Sequence, residues 1–186
     1  MLKVPISGGP HAGKTTTLEA LKLEFPEAYF VAEPAEVVIS RELAKQVEDP
    51  TYEPVVPWVD YKKFCPIVTE ESLRLEAEIP DNATLVFQDR SLIDNIGYCR
   101  LNGFDTFIPT VERYIAAARY TLALFCEPVG TYTATHVRRE TVEEARLTHD
   151  HLSQAYDGSG VQMVHLPAVT LEERLTIIRN TIETMS

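Results

Sequence analysis

Cysteine is scarce in this chain of 186 residues, with three copies at Cys65, Cys99 and Cys126. A small, odd number excludes the dense disulfide framework of small secreted domains, and none of the three has the spacing of a zinc site. We therefore expect a reduced, intracellular compartment, and more narrowly the cytoplasm. Because Met1 leads directly into an apolar segment, no signal peptide is predicted.

Long hydrophobic runs and positive charge are also lacking. No segment approaches the length of a membrane span, so no membrane partner is expected. Lys and Arg number 17 against 28 Asp and Glu, which gives a formal net charge of −11. Such acidity argues against a broad nucleic-acid surface, although a phosphate site needs only a few local cations. No repeat or linker divides the chain, and its length predicts one domain over residues 1–186, as a monomer or homodimer.

A phosphate-binding pattern is present near the start of the chain. Residues 8–15 have the form Gly, any four residues, Gly-Lys-Thr, which is a P-loop. The glycines let backbone N–H groups surround an anion. Lys14 can reach the β- and γ-phosphates of a nucleoside triphosphate, the Thr15 hydroxyl can hold Mg²⁺, and Thr16 is placed to reach the α-phosphate. The predicted nucleotide-binding residues are Gly8, Gly9, Pro10, His11, Ala12, Gly13, Lys14, Thr15 and Thr16.

The sequence around the P-loop has the strand-loop-helix setting that the motif requires. Residues 2–6 predict a short apolar strand, and Leu18, Leu21 and Phe25 recur at helical spacing. Pro5 lacks a backbone N–H, so we expect a local gap in the hydrogen bonding of this first strand.

Strands and helices alternate along the rest of the chain. Four further strands are predicted at 28–33, 84–89, 120–126 and 161–166. Between and after these strands, helices are predicted at 34–46, at 60–79, from 91 to 102, at 109–119, at 141–156 and from 170 onward. Three of these helices begin with a capping box: Ser91 with Asp94, Thr141 with Glu144 and Thr170 with Glu173. A proline-rich insert at about 48–60 and a loop or lid at about 128–140 complete the chain. This alternation predicts an α/β three-layer sandwich with a mainly parallel sheet.

Asp89 ends the third predicted strand. We interpret it as a second anchor for Mg²⁺ beside Thr15, either directly or through water. The alternative is an acid that caps the following helix, but Ser91 can already fill that role.

Glu33 ends the second predicted strand and precedes Pro34. Its carboxylate is a candidate general base for an attacking hydroxyl, and the alternative is a first-turn acid that complements a helix dipole. Ligands of parallel sheets bind beyond the carboxyl ends of the strands, so Glu33, Asp89 and the P-loop are expected to converge there.

Three arginines are candidates for contact with the transferring phosphate. Arg90 can grip a phosphate or an acceptor group, or it can form a structural ion pair with Glu33 or Asp94. Arg138 and Arg139 lie in the predicted lid, where they can neutralise charge in the transition state or remain a solvated surface pair.

The single tryptophan and two histidines have less specific signals. Trp58 can stack on a ring of an acceptor, but we favour its packing of the proline-rich loop onto the core. His149 and His151 flank Asp150. Because positions i and i+2 do not share a helix face, we expect surface residues rather than a metal site.

Together these motifs resemble the P-loop kinase-like families of predicted ATPases, the AAA-type ATPases that include nicotinamide riboside kinase-like domains. The resemblance covers the full length and uses the segments 8–15, 31–34, 87–91, 137–140 and 166–174. It implies a sheet ordered 2-3-1-4-5 and a loop after the fifth strand that passes over the adenine.

A partial similarity to deoxyribonucleoside kinases is also present. Those enzymes carry Glu-Pro at the general base, as Glu33 and Pro34 do here, and Glu-Arg-Ser after a later strand. Here Asp89 replaces the second glutamate, and the proline-rich insert has no clear match to their substrate pocket. The identity of the acceptor therefore stays open.

We interpret the chain as a Mg²⁺-dependent phosphotransferase that uses ATP, with Lys14, Glu33, Arg90, Arg138 and Arg139 as catalytic residues and a small-molecule acceptor such as a nucleoside or riboside. Three alternatives remain open at this point. They are a nucleoside triphosphate hydrolase without an acceptor, a nucleotide-sensing switch, and, disfavoured by the acidity, a polynucleotide kinase.

Overall fold

The computed structural model describes residues 1–129 and 141–185. Within these ranges, β-strands and α-helices alternate with one short 3₁₀ helix before α5. The elements are β1 Leu2–Ser7, α1 Lys14–Glu24, β2 Tyr29–Val31, α2 Pro34–Glu48, α3 Tyr61–Ala77, β3 Leu85–Asp89, α4 Leu92–Leu101, the 3₁₀ helix Asp105–Phe107, α5 Ile108–Ala118, β4 Leu122–Cys126, α6 Val142–Asp157, β5 Gln162–Leu166 and α7 Leu171–Met185.

The five strands form one parallel sheet in the order β2-β3-β1-β4-β5. This confirms both the predicted α/β class and the strand order that the resemblance implied. Central strand β1 pairs with β3 in a register that places Ile6 opposite Asp89. The chain that follows β1 is the P-loop, so this register brings the loop beside Asp89.

Pro5 has the effect expected of a proline in a central strand. The Ile6 carbonyl accepts from Arg90 N at 3.1 Å on the β3 side, so the neighbouring Pro5 faces β4. The pairs that join β1 to β4 are Ile6 with Leu124 and Ser7 with Phe125, and they begin directly after the proline. The missing donor therefore shortens one ladder and leaves the fold unchanged.

Apolar side chains cover both faces of the sheet. Strand β4 shows the alternation, because Leu122 and Leu124 pack with α1 and α7 while Ala123 and Phe125 pack with α4, α5 and α6. A strand buried on both faces is the expected consequence of helices on each side of a parallel sheet.

The helix starts agree with the sequence more closely than the strand lengths do. The reciprocal capping bonds at Ser91 and Thr141 form as predicted, and Thr170 exchanges hydrogen bonds with Glu173 in the same way. The second strand is shorter than predicted, because as an edge strand it pairs only over Tyr29–Val31. Helix α2 runs two residues further than predicted, to Glu48. In the described ranges, no helix combines the length and apolar character needed to span a bilayer.

Candidate nucleotide and acceptor site

The P-loop is held close against the end of β4. A Cβ on Gly8 would lie 2.5 Å from the carbonyl oxygen of Cys126, so the approach of the two backbones requires glycine. Gly13 occupies the N-cap position of α1 with a φ of 74° and gives no side-chain hydrogen bond to the helix. The first N–H groups of α1, starting at Lys14, are thus left for another acceptor, which is the usual arrangement of an anion site.

Lys14 joins two acids from different strands. Its Nζ donates to Glu33 Oε2 at 3.2 Å and to Asp89 Oδ1. Glu33 stands at the N-cap of α2 but makes no capping bond there, and its carboxylate turns toward Lys14 instead. Ser91 caps α4, so Asp89 is not needed as a cap. The structure thus brings Lys14, Glu33 and Asp89 together, as expected from the strand ends.

The two acids differ in their electrostatic setting. Burial raises the pKa of Glu33, but the positive charges of Arg90 and Lys14 outweigh burial, and the pKa lies below its usual value. The pKa of Asp89 is raised, chiefly by burial and further by the Glu33 carboxylate, although Lys14 opposes the shift. Glu33 therefore keeps its negative charge more firmly than Asp89 does.

Arg90 pairs with Glu33, and its side chain is 12% exposed. Its Nε donates to Glu33 Oε1 at 3.0 Å, and a terminal nitrogen donates to Asp94 Oδ1 at 3.1 Å and to the Gly8 carbonyl at 3.3 Å. Burial lowers the pKa of Arg90, but Tyr98, Glu33 and Asp94 raise it well above its ordinary value. Both ion pairs that the sequence offered as the structural alternative are present.

Asp94 links the site to the core, a role that goes beyond the capping box and the ion pair with Arg90 that the sequence indicated. The residue is 1% exposed. It accepts from Ser7 Oγ at 2.6 Å, from Tyr156 OH at 2.7 Å and from Ser91 N at 2.9 Å, besides Arg90. The acid four residues after an arginine was the available signal.

A cavity of about 660 Å³ opens beside the P-loop. Glu33 and Arg90 line it at the end nearest Lys14. Its other walls come from α2, the proline-rich insert, α3, α4 and α6, and its aromatic lining residues are Trp58, Tyr61, Phe64 and Tyr98.

Trp58 is 65% exposed, so the favoured prediction that it packs onto the core is wrong. The proline-rich insert is anchored by another residue. Glu42 of α2 accepts from Tyr52 OH at 2.6 Å and from Val55 N at 3.1 Å, and that leaves the tryptophan at the rim of the cavity.

Polar groups and thiols also line this cavity. Asn95 is buried in its wall, and its amide nitrogen donates to Thr69 Oγ1 at 3.1 Å. Cys65 also lines the cavity, and its Sγ lies 3.4 Å from the Sγ of Cys99. All three cysteines are free thiols and buried.

His149 packs under the P-loop, so the prediction of a surface residue is wrong for this histidine. Gly9 N donates to its Nδ1 at 3.3 Å, and its Nε2 lies 3.2 Å from Glu127 Oε2. Its ring also contacts that of Phe125, with 5.0 Å between centroids. His151 does not share these contacts. Within the described residues, no group of three or more His, Cys, Asp or Glu side chains is arranged to hold a metal ion.

Thr15 and Thr16 lie exposed in the first turn of α1. A threonine hydroxyl and the Asp89 carboxylate are the oxygen donors that Mg²⁺ prefers, so the residues present fit that ion. Arg138 and Arg139 lie outside the described residues.

Solved structures with the same fold include two kinds of kinase. Two structures of deoxyadenosine kinase from M. mycoides, one with the products dCMP and a flexible dCDP and one with bound dATP, each have a TM-score of 0.69 and 13% identity over 98% of this chain and 100% of theirs. Thymidylate kinase from Candida albicans has a TM-score of 0.63 and 14% identity over 98% of this chain and 91% of its own. At these identities the likeness establishes the fold alone.

Among curated proteins none matches the sequence. The family comparison gives a direct result, because the model described as "AAA domain" matches residues 3–174. With its P-loop, its strand order and this match over most of its length, the chain belongs to the AAA domain family and is a P-loop nucleotide-binding protein.

Proposed function

We propose that the protein is a Mg²⁺-dependent kinase that transfers the γ-phosphate of ATP to a hydroxyl of a small molecule such as a nucleoside or riboside. The observation that carries the proposal is the position of Glu33, which touches the P-loop lysine on one side and lines a cavity of about 660 Å³ on the other. A carboxylate between a phosphate donor and an acceptor pocket is the arrangement that phosphoryl transfer to a hydroxyl requires. We place this activity in the cytoplasm, with the protein acting as a monomer or homodimer.

The nucleotide half of the site consists of the P-loop amides, Lys14, Thr15 and Asp89. The amides and Lys14 hold the β- and γ-phosphates, while Thr15 and Asp89 hold Mg²⁺. Bound Mg²⁺ supplies neutralisation of charge on the phosphate oxygens. Because Lys14 pairs with Glu33 and Asp89, the phosphates compete with these carboxylates for its ammonium.

This competition connects nucleotide binding to the base. When Lys14 turns toward the phosphates, Glu33 loses one of its two cationic partners and keeps Arg90. Its carboxylate then becomes a better proton acceptor, because one of the charges that lower its pKa has moved away. Arg90 holds the carboxylate oriented while it accepts the proton of the acceptor hydroxyl.

The acceptor half is the cavity itself. Aromatic rings on several sides suit a planar group, and Asn95 supplies a polar contact in the wall. The fold neighbours support this acceptor class, since they are kinases of a nucleoside and of a nucleotide. In the same proposal, Arg138 and Arg139 neutralise charge that develops on the transferring phosphate.

The test is phosphate transfer from Mg·ATP, measured with the purified protein alone and with a panel of nucleosides and ribosides. We expect acceptor-stimulated turnover and a phosphorylated product. Glu33→Gln should lower kcat by about 10²- to 10⁴-fold, the range typical for a general base. Glu36→Gln is the matched control, because this exposed acid lies on the same helix without facing the cavity. Equal activity of the two variants would contradict the role of Glu33.

The second candidate is an ATP or GTP hydrolase, or a nucleotide-dependent switch, without a small-molecule acceptor. The lowered pKa of Glu33 favours it, since a carboxylate paired with Lys14 and Arg90 is a weak base. Slow phosphate release that no acceptor accelerates, with tight nucleotide binding, would select this candidate and remove the kinase proposal.

A further inference from the structure

Arg174 connects the P-loop to two other segments from the start of α7. One terminal nitrogen donates to the Ala12 carbonyl at 2.7 Å, and the other donates to the Glu127 carbonyl at 3.0 Å. Its Nε donates to the Pro167 carbonyl at 2.8 Å. A single side chain thus joins the loop to the residues that follow β4 and β5.

The charge of Arg174 has no carboxylate partner in the parts of the chain that the structure describes. Lys14 and Arg90 are each paired with two acids, whereas Arg174 donates only to backbone carbonyls. The residue is 3% exposed. A buried cation is costly unless an opposite charge compensates it, so an anion bound at the adjacent loop would be stabilised by this guanidinium.

The bond to Ala12 also acts on the phosphate-facing side of the loop. The Ala12 carbonyl and the Gly13 N–H belong to the same planar trans peptide unit and point in opposite directions. A donor fixed on the carbonyl therefore directs the Gly13 N–H away from Arg174, and it polarises that N–H as in a chain of hydrogen bonds. The fit is close, because a Cβ on Gly13 would lie 3.0 Å from the guanidinium.

We propose that Arg174 is a positioning residue for phosphate binding, which orients and polarises the Gly13 N–H and places a positive charge behind the P-loop. The proposal rests on nucleotide binding by the P-loop and not on the kinase activity. It is independent of the acceptor and of the cavity.

The experiment measures binding of Mg·ATP and of inorganic tripolyphosphate with Mg²⁺ by calorimetry, for the intact protein and its variants. Arg174→Gln should weaken both ligands by the same factor of about tenfold or more, the range of a charged hydrogen bond lost from a buried site. An equal factor would assign the effect to the phosphates rather than to the base or sugar. Arg179→Gln is the matched control, since Arg179 lies on the same helix and pairs with Glu24 and Glu172 at its exposed face.

A merely structural role gives a different result. It would lower the thermal midpoint of Arg174→Gln while the folded variant binds both ligands with the dissociation constants of the wild type, and that outcome would overturn the proposal. If Arg174→Gln fails to fold, Arg174→Lys decides, because lysine keeps the charge but carries its donors on one nitrogen, whereas Arg174 reaches the three carbonyls from three nitrogens of a planar group. We expect intermediate affinity for tripolyphosphate, and wild-type affinity would overturn the proposal. If the wild-type protein binds tripolyphosphate but phosphorylates none of the acceptors, the proposed kinase activity is contradicted, and the proposed role of Arg174 is not affected.

Discussion

At the scale of single residues, Lys14 carries the largest consequences. It is buried, and it neutralises two acids that otherwise repel each other. Lys14→Ala should reduce turnover of Mg·ATP by about 10²- to 10³-fold or more, as expected when a preorganised charge is removed from a transferring group. Steady-state kinetics measure this, with Lys22→Ala at the exposed end of the same helix as the control. Near-normal activity of Lys14→Ala would contradict the assigned role.

Trp58 gives a prediction that separates the two halves of the site. Because its ring is 65% exposed and lines the cavity, Trp58→Ala should leave the unfolding midpoint nearly unchanged. We expect the KM for the acceptor to rise by about tenfold, the range of a stacked ring lost from a planar ligand, and the KM for ATP to stay the same. Val59→Ala is the control, since Val59 is equally exposed and does not line the cavity. A change in the KM for ATP alone would argue against the assignment.

The predicted acids Glu33 and Asp89 share one property, which is their place at strand ends. Asp89 and Glu33 follow apolar strands, and the geometry of a parallel sheet brings such residues to the P-loop. His149 contacts Gly9 across a sequence separation of 140 positions, and Arg174 contacts Ala12 across 162 positions. No local pattern encodes such contacts, because they depend on how α6 and α7 pack after the sheet has formed.

At the scale of elements, Glu42 fixes the proline-rich insert to α2. Its carboxylate accepts from Tyr52, Val55 and Lys45, and although burial raises its pKa, these hydrogen bonds lower the pKa to about 2. The folded pKa thus lies below the ordinary value of about 4.5, which we take for the unfolded chain. This stabilisation is therefore fully present above about pH 5 and is lost as the pH falls through 4.5 toward 2.

Glu42→Gln should lower the free energy of unfolding by about 1 to 3 kcal/mol near neutral pH, because it removes charged hydrogen bonds from a buried group. Urea unfolding across the pH range is the measurement. The difference from the wild type should shrink as the pH falls below about 4.5, because the unfolded wild-type chain then binds a proton at Glu42 that the folded protein does not bind until about pH 2. Glu48→Gln, at the exposed end of the same helix, is the control. A difference that is constant down to pH 2 would exclude the charge of Glu42 as the cause.

Helices α4 and α6 meet at Gly97, where a side chain has no room. A Cβ there would lie 2.9 Å from Leu152 Cδ2 and 3.0 Å from the His151 carbonyl oxygen. Gly97→Ala should therefore destabilise the protein by about 1 to 3 kcal/mol, an overpacking cost that exceeds the gain of about 1 kcal/mol in helix propensity. Gly158→Ala is the control, since its nearest contact would be 3.5 Å. Thermal unfolding measures both, and equal midpoints would contradict the packing argument.

Element boundaries show what local sequence determines. The capping boxes at Ser91 and Thr141 set their helix starts, because both partners lie within four residues. The length of β2 depends instead on how many residues of the edge strand find a partner in β3. That number is a property of the sheet, and the apolar segment at 28–33 could not reveal it.

At the scale of the whole molecule, the alternation of strands and helices was enough to predict a parallel sheet covered on both faces. The order 2-3-1-4-5 was not encoded in any spacing, and it came from the resemblance to P-loop kinases before the structure confirmed it. Several strand orders satisfy the same alternation and the same handedness of crossovers. What selects among them is the packing of α-helices over each pair of strands, which involves the entire chain.

The charges around the P-loop have a kinetic consequence. Among the described residues, Lys14, Arg90 and Arg174 lie at the P-loop with Glu33, Asp89 and Asp94, and the formal charges of these six groups cancel. The rest of the chain leaves the molecule at −11, and Mg·ATP is itself an anion. Long-range attraction therefore cannot speed their encounter, and the association rate constant should rise as ionic strength increases from about 0.01 to 0.15 M and screens the repulsion. Stopped-flow mixing with a fluorescent nucleotide would measure this rate constant. A steep fall of the rate constant with added salt would mean that cations other than Lys14, Arg90 and Arg174 attract the nucleotide from solution.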